Sequence, residues 1–192
     1  QKLKVVFMPN YGVSLAQRMI PAGEVSEQIS TASKEASGTG NMKFMMNGAV
    51  TVATLDGANV EIHREVGDEN IVLFGLRSDE VIAYQKNGNY SAAEVIRSDP
   101  RLQRLLRQLQ EGYFGLAPQH EFDPIVKHLT EENDPYFTLK DFDAYVRAQE
   151  RINTLYADRN AWNKMSVINT AASGVFSSDN TIRKYADEIW NV

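Results

Sequence analysis

The sequence predicts an α/β protein whose first part supplies parallel strands and whose second part is mainly helical. Up to about Asp79, short apolar, β-branched runs end at turn residues and alternate with helical patterns. Beyond that point the strand signal fades and helical periods follow one another to the end. A third observation is size: 192 residues with 43% apolar composition can bury a sizeable core, which excludes disorder and a mini-protein. The reading divides the chain into residues 1–78, the α/β part, and residues 79–192, the helical remainder.

Leu3-Lys4-Val5-Val6-Phe7-Met8 is a strand-like run ended by Pro9-Asn10. Because the chain starts with Gln1 and moves at once into a buried-type strand, it reads as cut from something longer. Val13 to Ile20 carries Val13, Leu15, Ala16, Met19 and Ile20 near helical spacing, and Pro21-Ala22-Gly23 stops it. Val25 to Ser30 is a short, mixed, extended piece. Glu35 to Asn47 begins rich in glycine and turns apolar, as a loop feeding a helix does. Ala49 to Leu55 is a β-branched strand ended by Asp56-Gly57, and Ile71 to Phe74 is another ended by Gly75. In parallel sheets of this kind ligands gather beyond the carboxyl ends of the strands.

Helical patterns then run over Val81–Lys86, Ala92–Ser98, Pro100–Gln110, Pro124–Thr130, Leu139–Ala157 and Arg159–Ala172. Asp99-Pro100 supplies a cap and a first-turn proline, and Ser177-Ser178-Asp179 caps a last helix. That helix bears Ile182, Tyr185, Ile189 and Trp190 on one stripe and therefore must dock, either on this chain or on a part of the protein outside it. Arg101, Arg104 and Arg107 read as a solvated face, and Tyr136 with Phe137 as a satellite cluster.

Charge and composition remove several function classes. A net charge of -5 without a basic block disfavours nucleic acid. The absence of cysteine excludes disulfides, thiolate zinc sites, iron–sulfur clusters and a cysteine nucleophile. His63, His120 and His128 lie far apart without metal-ligand spacing, so no metal is expected. No apolar run approaches the roughly 20 residues of a spanning helix and no signal peptide opens the chain, so a soluble protein without a membrane partner is expected.

The informative stretch is Glu35-Ala36-Ser37-Gly38-Thr39-Gly40-Asn41-Met42-Lys43-Phe44-Met45-Met46-Asn47-Gly48. Two glycines flanking Thr39 let consecutive N–H groups approach an anion, the Thr39 hydroxyl adds a donor, and a following helix points its positive end there. The spacing matches neither a Walker loop nor a dinucleotide fingerprint, because Lys43 is followed by Phe44 and stands where a third glycine would fall. Lys43, set among apolar residues on the first turn of the expected helix, is a cation that dipole and burial would push toward neutrality. A neutral amine beside a phosphate-holding turn suits a Schiff base with pyridoxal 5'-phosphate. By residue type alone, Gly-Thr-Gly also fits a simple turn, and Lys43 a side chain reaching to solvent over an apolar stem.

The run EASGTGNMKFMMNGA followed by TVATLDGANVEI resembles the pyridoxal-phosphate segment of the α-glucan (glycogen, starch and maltodextrin) phosphorylases. The resemblance extends upstream through Asn10-Tyr11, Val13 to Ala16, Ile20-Pro21-Ala22 and Ser26 to Thr31, and downstream through Glu69-Asn70, Phe74-Gly75 and Ala171 to Trp190. It implies part of a Rossmann-like lobe of a two-lobed GT-B glycosyltransferase, with phosphorolysis of terminal α-1,4-linked glucose to α-D-glucose 1-phosphate. Glucan and inorganic phosphate are then the substrates, and the enzyme is cytoplasmic and homodimeric.

By the same resemblance Lys43 bears the cofactor as a Schiff base, and Thr39 and Gly40 hold its phosphate. Tyr11 and Gln28 line the cofactor pocket, while Glu35, Ser37 and Gly38 read sugar hydroxyls and place the substrate phosphate. A carboxylate repels phosphate but accepts hydroxyl hydrogen bonds, which suits Glu35 to the sugar. Met42, Met45 and Met46 pack around the cofactor, and the Asp56-Gly57 segment supports the pocket floor. The chain departs from the pattern at Gly12, where many relatives carry a basic residue. The amino-terminal lobe, with its phosphate-binding lysine and arginine, is a required partner, so the 192-residue chain alone is expected to be inactive. The alternative function is a non-catalytic anion-binding or assembly module on the same scaffold. A nucleotide-sugar transferase is disfavoured, since it has no use for a Schiff-base lysine.

Overall fold

The strands β1 (Val25–Gln28), β2 (Val50–Ala53) and β3 (Val72–Leu73) form a three-stranded parallel sheet in the order β1-β2-β3. This is a computed structural model, and it describes residues 3–113, 115 and 118–191. The connections are helical, α2 (Gly40–Met46) from β1 to β2 and α3 (Asn59–Val66) from β2 to β3. Parallel neighbours need such crossovers, so the alternation of apolar runs and helical patterns becomes the topology.

Side chains of a strand alternate between faces, and both faces of this sheet are covered. Val50, Val52 and Val72 pack against Ala148 and Ile152 of α8 (Thr138–Ala157) and Trp162 and Met165 of α9 (Arg159–Ala172). A second cluster joins Met45 of α2, Ile62 and Val66 of α3 and Ile71, with Leu73, Ile168, Ala172 and Phe176 against it. β2 is buried throughout, as a central strand must be. Gly48 ends α2 at φ +83°, and a Cβ there would stand 2.5 Å from Ser166 Oγ of α9, so glycine lets the two helices close up.

The other helices are α1 (Val13–Met19), α4 (Ser78–Asn87), α5 (Ala92–Ser98), α6 (Pro100–Gln110), α7 (Asp123–Thr130) and α10 (Ser178–Tyr185). Asp99 and Ser177 cap α6 and α10 as the sequence predicts, through bonds from Arg101 N–H and Asn180 N–H. Arg101 turns back to pair with Asp99 and Asp143 and lies 5.1 Å over the Phe142 ring, which holds the Asp99 carboxyl below its usual range. Phe137, in a left-handed conformation, is buried with Ala32 and Val81 in a satellite cluster, whereas Tyr136 is exposed.

A buried polar knot joins α5 to the start of α8. Asp134 accepts the Tyr90 hydroxyl at 2.8 Å and the N–H groups of Thr138 and Leu139 at 3.0 and 2.7 Å, while Asn133 bonds Ala92 N–H and the Tyr90 carbonyl. Burial and the Asp134 acceptor push the Tyr90 phenol well above its ordinary range.

One expectation is corrected. Residues 3–8 form no strand: Leu3, Val5, Val6 and Phe7 are exposed, because no strand among the described residues pairs with them. Of the two places open to the terminal stripe, this chain is not the one used, since Ile182, Tyr185, Ile189 and Trp190 are exposed, with the Tyr185 and Trp190 rings 6.0 Å apart.

Candidate active site

The loop between β1 and α2 lies at the carboxyl ends of β1 and β2, against the turn that leads into α3. Asp56 Oδ2 accepts the N–H groups of Lys34 and Glu35 at 3.0 and 2.8 Å, and the Ser37 carbonyl accepts the Ala58 N–H at 2.8 Å. The Glu35 carboxylate accepts the Ser30 hydroxyl at 3.1 Å, and the Ser30 carbonyl accepts the Thr54 hydroxyl at 2.6 Å. Gly57, at φ +52°, leaves no room for a side chain, since a Cβ would stand 2.5 Å from the Ser37 carbonyl oxygen. Half-buried Glu35 is thus held by its backbone and by its side chain, with its neighbour Ser37 exposed.

The glycine turn follows. Gly38 has φ +83°, a conformation that glycine adopts without strain, and the Ser37 hydroxyl bonds its carbonyl at 3.2 Å. Thr39 occupies the N-cap of α2 but makes no side-chain capping bond, so its exposed hydroxyl stands beside first-turn N–H groups that lack an intrahelical acceptor. Gly40 faces Gln28, whose Nε2 lies 3.9 Å from where a Cβ would be and donates to Ser26 Oγ at 3.0 Å. The first turn of α2 is tied down by a buried amide pair, Asn41 Nδ2 donating to Asn59 Oδ1 at 3.0 Å and Asn59 Nδ2 to the Thr54 carbonyl at 3.1 Å.

Lys43 differs from expectation. It is exposed, and because α2 is only seven residues long it falls in the last turn, where the helix dipole favours a cation. Two residues on, Met45 is fully buried, so the roughly 100° step per residue turns Lys43 outward. Lys43 is therefore not the buried, first-turn residue that the sequence suggests. Met46 is 49% exposed, so of the three methionines Met45 alone is fully in the core. Tyr11 is exposed on the stretch leading into α1, and no hydrogen bond among the described residues ties it to the loop. The structure thus brings together Gln28, Glu35, Ser37, Gly38, Thr39 and Gly40, sets Lys43 one turn further along α2, and leaves Tyr11 apart.

An accessible amine, an uncommitted hydroxyl, a glycine turn and a fixed carboxylate on one strand-end loop are the elements of a polyol and phosphate site. The family model described as carbohydrate phosphorylase matches residues 1–192. The chain belongs to the carbohydrate phosphorylase family. It is similar to glycogen phosphorylase of Bacillus subtilis, 54% identical over 192 residues, all of this chain and 24% of that one. It is also 50% identical over 191 residues to the liver form of Homo sapiens and 47% identical to the muscle form of Oryctolagus cuniculus, covering 22% of each. The chain spans about a quarter of the length of the curated relatives it matches.

The residue pattern alone gave no sign of the Asn41–Asn59 pair and made Asp56 a strand-ending turn residue. The signal available was a polar cluster, Thr54, Asp56 and Asn59, where burial of neighbouring Ala53 and Ala58 leaves little water to satisfy it. His63, His120 and His128 each lie against one surface carboxylate, Asp68, Asp123 and Glu132. Among the described residues no group of three or more histidines and carboxylates could hold a metal ion.

A second concavity of about 200 Å³ opens at the ends of β1 and β3, walled by Ile29, Phe74, Phe142, Tyr145 and the half-buried Asp141. Desolvation raises the Asp141 carboxyl, although it accepts the Leu76 N–H at 2.8 Å. A raised carboxyl means that the fold favours the protonated form, so this residue's contribution is fully present below the unfolded carboxyl's range and is lost as pH rises through the folded one. Asp141→Asn keeps an acceptor for Leu76 and removes the buried charge. Its melting temperature should exceed that of the unsubstituted protein at pH 7, with the difference vanishing on acidification below the carboxylate range; a difference independent of pH contradicts this.

Proposed function

We propose that the enzyme containing this chain is an α-glucan phosphorylase, cleaving the terminal α-1,4-linked glucose of glycogen or a related glucan with inorganic phosphate to give α-D-glucose 1-phosphate. The observation that carries this reading is the loop 35–40, pinned at the strand ends beside the helix of Lys43, in a chain 44–54% identical to glycogen phosphorylases throughout its length. In this reading the chain is part of the carboxyl-terminal lobe of a two-lobed GT-B enzyme, residues 1–78 carrying the cofactor site and 79–192 completing the lobe. The parent is cytoplasmic and dimeric.

The residues present fit pyridoxal 5'-phosphate. Lys43 offers an accessible primary amine, Thr39 a hydroxyl free of capping duty, and Gly38 and Gly40 a bend without side chains in the way. When bound, this group supplies a phosphate beside the substrate phosphate, where it stabilises an oxocarbenium-like transition state or exchanges a proton. Lys43 would hold it by its amine, Thr39 and Gly40 would bind its phosphate, and Gln28 and Tyr11 would bound its ring. Glu35 accepts hydrogen bonds from sugar hydroxyls with its orientation set by Ser30, and Ser37 with Gly38 places the substrate phosphate. A glycosyl cation needs such preorganised neighbours because water would otherwise have to reorient around it.

The test uses the full-length enzyme. Borohydride reduction should fix the cofactor on the peptide containing Lys43, and Lys43→Ala should lose both the label and glucose 1-phosphate formation. The isolated 192-residue chain should form no product. Label on another lysine, or an active Lys43→Ala enzyme, refutes the assignment.

A further inference from the structure

We propose that Asp56 and Asn59, on the turn between β2 and α3, are positioning residues with separate tasks: Asp56 sets the sugar-reading loop and Asn59 sets the helix of Lys43. The inference rests on the function proposed above and divides the site into two independently held parts.

Both tethers leave one short segment. The turn is itself closed by Asp56 N–H on the Thr54 carbonyl at 3.0 Å and Asn59 N–H on the Asp56 carbonyl at 3.1 Å, so its two side chains are fixed relative to each other. From Asp56 one carboxylate oxygen reaches the backbone of Lys34 and Glu35, the residues that aim the Glu35 side chain. Asp56 is 9% exposed, and a charged acceptor in that position makes stronger bonds to N–H than a neutral one. From Asn59 the tether runs the other way. Its amide joins the Thr54 carbonyl to Asn41, and Asn41 Oδ1 in turn accepts the Met42 N–H at 2.9 Å, one residue before Lys43. Asn41 and Asn59 are 2% and 3% exposed, so neither can exchange its partner for water.

Apart from these tethers, the loop keeps a backbone bond from Ala58 N–H to the Ser37 carbonyl and runs into the helix through Gly38 and Gly40, with the Asn41 side chain close to Gly38. Glycine transmits displacement poorly, because its backbone has the widest choice of conformations. Loss of the Asp56 tether therefore frees the backbone of Lys34 and Glu35, and with it the aim of the Glu35 side chain, while α2 stays seated on Asn59 and the core residue Met45. Loss of Asn59 loosens the first turn of α2 while Asp56 still grips the loop.

The experiment measures cofactor occupancy, by absorbance and by borohydride label at Lys43, together with KM and kcat for glucan and phosphate in the full-length enzyme. Asp56→Ala should keep wild-type occupancy and raise the substrate KM values by about 10-fold to 100-fold, the scale of a misplaced binding group. Asp56→Asn, which retains an acceptor, should restore KM to within about threefold of wild type, a small part of that range. Asn59→Ala should instead lose cofactor on dialysis and, once saturated with added pyridoxal 5'-phosphate, recover KM near wild type. Should Asp56→Ala fail to fold, Gly57→Ala displaces the same loop from the backbone side, where the added Cβ meets the Ser37 carbonyl, and carries the same expectation. Occupancy and KM changing in proportion in every variant, or Asp56→Asn behaving like Asp56→Ala, overturns the division of tasks. Absence of label on Lys43 in the wild-type enzyme overturns the cofactor reading and this inference with it.

Discussion

Trp162→Ala should lower the unfolding free energy by about 3–5 kcal/mol, the range for truncating a buried aromatic. Trp162 is 2% exposed and packs with Val50 and Val52 of the central strand, with the Tyr156 ring edge-on at 5.0 Å. Its indole N–H donates to Glu24 Oε2 at 2.8 Å, just before β1. Alanine leaves a void between α9 and the sheet that the surrounding valines cannot fill, and it removes a bond to a charged acceptor. Trp162→Phe keeps most of the ring and loses the bond, so it should cost about 1–3 kcal/mol, the scale of a bond to a charged group. Guanidinium unfolding at constant slope separates the two variants. An alanine variant no weaker than the phenylalanine one shows that packing at this site contributes little.

Asp134→Ala should cost about 1–3 kcal/mol, the penalty for leaving a buried donor, here the Leu139 N–H, without a partner. The donors are the Tyr90 hydroxyl and the Thr138 and Leu139 N–H groups, and Asp134 is 1% exposed. The last two open α8, so their loss frays the first turn of the helix that covers the sheet. A double-mutant cycle with Tyr90→Phe isolates one of the three bonds: the pair should be less destabilised than the sum of the single variants. Strict additivity, read by thermal or chemical unfolding, rejects the buried bond between them.

The central strand was legible because Ala49 to Leu55 is β-branched and buried on both faces, which leaves a continuous apolar run. β1 was harder to read, since its sequence Val-Ser-Glu-Gln is polar and resembles a loop; its glutamate instead points out to Tyr145 and Gln149. That contact, after desolvation, pushes the Tyr145 phenol up to about 12. Leu3 to Met8 has the composition of a strand, but a strand exists only through hydrogen bonds to a neighbour, and composition says nothing about whether one is present. α3 gave little warning, because Ala58 at its start makes no capping bond. At the site, the glycine turn was legible from residue type and the roles came from resemblance. The exposure of Lys43 was not legible, because it depends on where a short helix begins and on which residue faces inward. Asp56 was hidden by its ordinary place before a glycine, where its contacts lie more than twenty positions back along the chain.

The valine face of the sheet is roofed by α8 and α9, and Gly48 fits beneath Ser166. During synthesis the glycine turn and the amine emerge long before this roof does. A nascent chain that has just completed β3 holds every group of the strand-end loop and a platform too loosely built to keep them in register. The platform under that loop is therefore completed only by helices that follow all three strands in the chain.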